Sequence, residues 1–279
     1  MTLEPTGCEL VQLLRCNKRA VRYIFDEDAD DVMASQLPPL LDNKFLFLQT
    51  IPADGDKNTG GRVWQSAPEM CRWLKDNAAA AVVGRRVLDL GSGTGAVGIY
   101  CAGLVAAGVV LSDGGPVDLL DLQKSNVRAN SGFIDASTTT VEVRHLAFGC
   151  FAHLLPSGPF DLVLGSDIIY DASAHAALCR TLRALWLRDQ PRMILATMPR
   201  GRASLEPTLE GPGSESPLPL YTESTLAAFT REASLHGLGV RPLKGSAQES
   251  FEWTAAAFRA ATAFLLEVVA TDGPAAVLS

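Results

Sequence analysis

From residue 85 onward, short apolar runs alternate with longer amphipathic ones. Residues 85–90 (Arg-Arg-Val-Leu-Asp-Leu) form an apolar run with β-branched character that stops at a glycine. A helical stretch at 96–107 follows, and 109–112 is again strand-like. The pattern continues with a helix at 117–129, strands at 140–145 and 160–165, a helix at 172–187 and a strand at 192–197. Strands alternating with helices predict a parallel sheet covered on both faces. The C-terminal part differs, because a helix at 223–235 is followed by two apolar runs, 238–243 and 262–269. Two consecutive strands there predict an antiparallel pair at one edge. The expected fold is α/β, a doubly wound sheet of seven mostly parallel strands with one antiparallel edge strand.

Upstream, 45–51 reads as a short extra strand and 66–77 as a helix. Ser66-Ala67-Pro68-Glu69 has the pattern of a capping box with proline near the first turn. Residues 1–44 form an extension with weak amphipathic character and an acidic run at 26–31. Residues 45–279 are expected to be one domain. It carries a long loop at 201–219, marked by Pro207, Pro212, Pro217 and Pro219 with Gly211 and Gly213. That loop follows the strand at 192–197, so it is expected over the carboxyl ends of the strands, where open α/β sheets bind ligands. Disordered decoration is the other reading of the same composition.

Composition narrows the classes. With 47% apolar and 20% charged residues the chain has material for a large core, which excludes disorder and coiled coil. A net charge of -7 argues against a basic groove, so no stable nucleic-acid partner is expected. Six cysteines lie scattered without a C-x-x-C pair, and four histidines show no metal-ligand spacing. Reduced thiols, no metal, and a cytoplasmic or also nuclear setting are the expectation. Residues 1–10 lack a secretory pattern. The 23 uncharged residues 90–112 are long enough to span a bilayer. They open on Gly91-Ser92-Gly93-Thr94-Gly95, however, which favours a turn, a buried helix and a strand over a membrane segment.

That glycine-rich turn, preceded by Asp89, permits close approach of a ligand to the backbone. Residues 93–98 also satisfy G-x-G-x-x-G, with Asp113 twenty residues after Gly93 to take ribose hydroxyls, so on spacing alone a nicotinamide enzyme is admissible. Asp89 changes the balance. A carboxylate there repels a pyrophosphate and attracts the ammonium and sulfonium region of S-adenosyl-L-methionine. A second constellation, Phe160-Asp-Leu-Val-Leu-Gly-Ser-Asp-Ile-Ile-Tyr170, is an apolar strand that delivers Asp167 and Tyr170 at its carboxyl end.

The D-x-G-x-G-x-G turn followed by an acid, together with Gly165-Ser166-Asp167-Ile168-Ile169-Tyr170, resembles the seven-strand (class I) protein-lysine methyltransferases with a D-x-x-Y signature. Residues 122–130 resemble that family's helix after the second strand, and Val63-Trp64 its upstream tryptophan motif. The likeness covers about residues 60–200 and is nearest to the branch acting on chaperones.

The resemblance implies a Rossmann-like fold, S-adenosyl-L-methionine as cofactor, and a folded protein as substrate, such as a chaperone or translation factor, methylated on a lysine amine. It implies that Trp64, Asp89, Gly91, Gly93, Thr94, Gly95, Asp113, Phe148 and Ser166 bind cofactor and that Asp167 and Tyr170 are catalytic. Phe148-Gly149 stands where the family usually has Trp-Gly, keeping a stacking face but losing an indole donor. Ile168-Ile169 departs from the Pro-Pro of enzymes that methylate planar amines or amides. A small-molecule acceptor, a histidine acceptor and a non-catalytic binding module stay open. The protein is expected to act as a monomer, without a membrane partner.

Overall fold

The computed structural model describes residues 21–22, 46, 48–50, 59–153, 158–198, 225–243 and 263–271. Its strands are β1 (Arg86–Leu90), β2 (Gly108–Asp113), β3 (Thr140–His145), β4 (Leu162–Ser166), β5 (Arg192–Thr197), β6 (Leu238–Pro242) and β7 (Phe264–Ala270). They form one sheet in the order β3-β2-β1-β4-β5-β7-β6. The first five are mutually parallel, and β7 runs antiparallel to both β5 and β6. The last strand is therefore the reversed one, as expected, but it is inserted one place in from the edge and β6 is outermost. Between β1 and β4 the strand order reverses, the switch point at which such sheets open a crevice.

Residue parity sorts the core into two layers. On one face Val87, Val109, Leu111, Leu162, Leu164 and Ile194 pack with Met70, Cys71 and Leu74 of α1 (Ser66–Asp76) and with Val97, Tyr100 and Cys101 of α2 (Ala96–Gly103). Val127 of α3 (Val117–Ala129) joins that face. On the other, Leu88, Leu90, Val163, Met193 and Leu195 meet Leu178, Leu182 and Leu185 of α4 (His175–Asp189) and Phe229 of α5 (Thr225–Leu235). Each fully buried large side chain stabilises the fold by about 1.5–3 kcal/mol. The same parity turns Asp89 toward α2, with consequences below.

The uncharged stretch 90–112 is the turn, α2 and β2, so its apolar length serves a central strand and its covering helix. Among the described residues no helix is long and apolar enough to cross a membrane. The capping box at Ser66 is not formed. Gln65 precedes the helix without a side-chain cap bond, and Ser66 is already helical. Its hydroxyl lies 2.7 Å from Ser166 Oγ, a hundred residues away, and Glu69 pairs with Arg72 on the next turn of the same helix. Of the expected strand at 45–51, Leu48–Gln49 pairs antiparallel with Val21–Arg22. The loop at 201–219 and nearly all of the 1–44 extension lie outside the described residues.

Candidate active site

The turn after β1 is built from backbone that side chains would block. Gly91, Gly93 and Gly95 have φ of +65°, +54° and +82°, the left-handed region open to glycine. Gly95 N donates to Ser92 O at 2.7 Å and Ser92 N to Ser112 O at 2.8 Å, which folds the turn back over β2. A Cβ on Gly91 would stand 2.7 Å from Ile168 Cγ2 and 3.4 Å from Phe148 Cζ, so that glycine faces into a cavity of about 310 Å³. Gly91, Gly93 and Thr94 line the cavity together with Trp64, Asp89, Asp113, Phe148, Ser166, Asp167 and Tyr170. Gly95 is not among the lining residues. A Cβ there would meet Leu111 at 2.9 Å, which places this glycine on the core side as the cap of α2.

Two carboxylates stand behind the turn. Asp89 is buried, and Oδ2 accepts from Gly98 N at 2.8 Å. Burial pushes its carboxyl up to about 7, opposed by the Gly98 N–H and reinforced by the nearby Asp113 charge. Asp113, at the end of β2, accepts from Gly93 N at 3.0 Å and from Gly115 N at 2.8 Å. Burial raises its carboxyl above the ordinary value, and those amides and the neighbouring His145 partly offset the rise. Both groups are held where their charged forms are incompletely solvated, an environment that a cationic ligand would relieve. A pyrophosphate would worsen it.

At the end of β4 the chain turns sharply. Asp167 has φ +54°, a left-handed conformation that aspartate tolerates better than most residues. Its N–H donates to Ala196 O at 2.8 Å. Its carboxylate takes two backbone donors, Ser66 N on Oδ2 at 3.1 Å and Met198 N on Oδ1 at 3.0 Å. The turn sends Ile168 and Ile169 into the core and leaves Tyr170 at the rim, 45% exposed. His175 Nε2, 3.0 Å from Ile169 O, fastens the far side. The signature thus fixes a carboxylate in the wall and an aromatic ring at the mouth.

Sequence reasoning missed several residues of this site. Gln123 Nε2 donates to Gly93 O at 2.9 Å and Ser92 Oγ at 3.0 Å, and Asn126 Nδ2 donates to Thr94 O at 2.8 Å. Both lie on the buried face of α3, where their amides brace the turn from beneath. Asn126 also exchanges bonds with Gln49, tying in the upstream ribbon. Thr59, Gly60, Gly61 and Arg62 line the cavity as well. A Thr-Gly-Gly triplet before a tryptophan was the available signal.

A family model described as lysine methyltransferase matches residues 44–206, and the chain belongs to that family. It is 37% identical over 123 residues to a protein N-lysine methyltransferase METTL21A of Danio rerio, covering 44% of this chain and 54% of the relative. It is 37% identical over 124 residues to EEF1A lysine methyltransferase 3 of Mus musculus, covering 44% and 50%. The chain spans about half the length of the curated relatives it matches. Among solved structures, a magnesium protoporphyrin IX methyltransferase of Synechocystis PCC 6803 is similar at 18% identity and TM-score 0.47, covering 74% of this chain and 83% of that one.

Proposed function

We propose that this protein transfers a methyl group from S-adenosyl-L-methionine to the side-chain amine of a lysine in a folded protein. The observation that carries the reading is the pair of desolvated carboxyls, Asp89 and Asp113, set behind a glycine cradle that a Cβ would fill. When bound, the cofactor would supply a methyl group whose carbon an amine can attack, the sulfur leaving as a neutral thioether. Asp89 would face its cationic amino-acid region and Asp113 its ribose hydroxyls. Gly91, Gly93 and Thr94 would let it approach the backbone, and Phe148 offers an apolar face for the adenine.

The acceptor amine needs a free lone pair, and an ordinary lysine with a pKa of about 10.4 is almost wholly protonated at neutral pH. Entry between Tyr170 and the cavity wall removes water from the amine and lowers that value. Asp167, fixed by two amides, orients the amine and stabilises the positive charge that persists on the methylated nitrogen. A carboxylate beside an ammonium favours the charged form, so proton removal falls to water. The Tyr170 ring attracts a methylammonium through its π face. Holding the reacting atoms in line supplies most of the acceleration.

A chaperone or a translation factor is the proposed substrate class, because the sequence resembles the chaperone-directed branch and two relatives are named for EEF1A. The scattered cysteines support a cytoplasmic or nuclear setting. The test is to incubate the purified protein with tritiated cofactor and separately with EEF1A, a seventy-kilodalton chaperone and a set of metabolite amines. Label entering a protein supports the reading; label confined to metabolites overturns it.

A further inference from the structure

Trp64 does more than line the cavity. Its indole Nε1 donates to the Thr59 carbonyl at 2.7 Å, and the Arg62 guanidinium lies 4.1 Å from the ring centroid. Donor and acceptor bracket a short 3-10 turn at 59–61 that contains two glycines. The turn crosses directly over the glycine-rich loop: a Cβ on Gly93 would stand 2.9 Å from Gly60 O, and a Cβ on Gly60 2.6 Å from Leu119 Cδ2. At its outer end Thr59 Oγ1 is 3.5 Å from the Tyr170 hydroxyl, on the opposite rim. All of these residues line the cavity.

A single 3-10 turn has little internal hydrogen bonding, and paired glycines give it wide conformational freedom. Its position over the cavity therefore depends on what fastens it from outside. The indole has one N–H, and the turn's own carbonyl takes it, so the side chain that lines the cavity also grips the chain above it.

We propose that residues 59–61 form a strap across the cofactor site, latched by the Trp64 N–H, and that Trp64 is a positioning residue that sets how long the cofactor is retained. This rests on reading the cavity as the S-adenosyl-L-methionine site. Opening the strap breaks the Trp64–Thr59 bond, so loss of that bond quickens departure. The latch also holds Thr59 opposite Tyr170 and keeps the acceptor entrance narrow.

The test uses the full chain and measures association and dissociation of tritiated S-adenosyl-L-homocysteine. Trp64→Phe keeps an aromatic face and removes only the donor. Dissociation is expected to quicken about tenfold, the weight of one hydrogen bond, with the variant still folded at the assay temperature. An unchanged dissociation rate in a folded Trp64→Phe protein overturns the latch. A second readout needs no variant: amide hydrogen exchange across 59–62 in the unsubstituted protein is expected to slow when ligand is added. Unaltered exchange there overturns the strap even if Trp64→Phe fails to fold. Failure of the unsubstituted protein to bind the ligand at all is a different result, and overturns the reading of the cavity itself.

Discussion

The Asp167 carboxylate accepts the Met198 amide at 3.0 Å, so the residue that opens the D-x-x-Y turn also holds the chain where it leaves β5. Its other oxygen holds the first residue of α1. One buried side chain thereby joins three segments around the mouth of the cavity.

Replacing Asp167 with alanine leaves two amides without this acceptor. Unsatisfied buried donors each cost about 1–3 kcal/mol, so unfolding free energy should fall by about 2–6 kcal/mol. Urea denaturation reads this directly. Turnover should vanish while cofactor affinity stays within a few-fold, and a variant as stable as the parent contradicts the bracing role.

Asp113→Ala should do the reverse. The amides of Gly93 and Gly115 lose their anchor, and the cradle loosens where the cofactor rests. Calorimetric titration is expected to show affinity for S-adenosyl-L-methionine reduced by roughly tenfold or more. Equal affinity would remove Asp113 from the binding site.

Asp89 predicts a pH dependence whose sign is fixed. Its carboxyl sits at about 7 in the folded protein against 3.8 when unperturbed, so the fold binds this proton more tightly than the unfolded chain. That contribution to stability is present below 3.8 and is lost as pH rises through about 7. A cationic ligand favours the ionised form, so binding should expel the proton. Affinity for S-adenosyl-L-methionine should rise with pH until about 7 and then level. Calorimetry in two buffers of different ionisation enthalpy should show proton release at about pH 6 and little at about pH 8. Asp113, also raised, carries the same sign. Release undiminished in Asp89→Asn would assign the effect to another group.

Two glycines with similar backbone strain should respond differently. Gly93 (φ +54°) and Gly84 (φ +69°) are both left-handed, but a Cβ on Gly84 meets nothing within 4 Å while one on Gly93 stands 2.9 Å from Gly60 O. Gly84→Ala is expected to lower stability by about 1–2 kcal/mol and leave ligand affinity alone. Gly93→Ala should lower both, since it lifts the turn at 59–61 as well. Matching affinities in the two variants would contradict the close crossing.

The fold was legible because its signals are local. Strand and helix periods marked α3 over its full length and β3 and β5 to the residue. The turn after β1 announced itself through Gly91, Gly93 and Gly95. What sequence could not show depends on partners far along the chain. Ser66 has the local form of a helix cap, yet its hydroxyl pairs with Ser166, a hundred residues away. Gln123 and Asn126 read as ordinary polar positions on a helix, and only the folded packing turns them beneath the glycine turn. In the sequence Asp89 is a bare charge facing a cation; the structure adds the burial that makes it titrate near neutrality and the Gly98 amide that opposes that rise. The inserted position of β7 is set by pairing with β5, a relation that no run of apolar residues encodes.

Methylation of a protein lysine leaves a product that survives hydrolysis and can be identified. The most direct measurement is to label a cell extract with the purified protein and tritiated S-adenosyl-L-methionine, then hydrolyse the labelled protein bands to amino acids. Tritium recovered as methyllysine, and absent when Asp167→Ala replaces the parent, is the predicted result. Tritium recovered as methylhistidine, or only in small molecules, would contradict it.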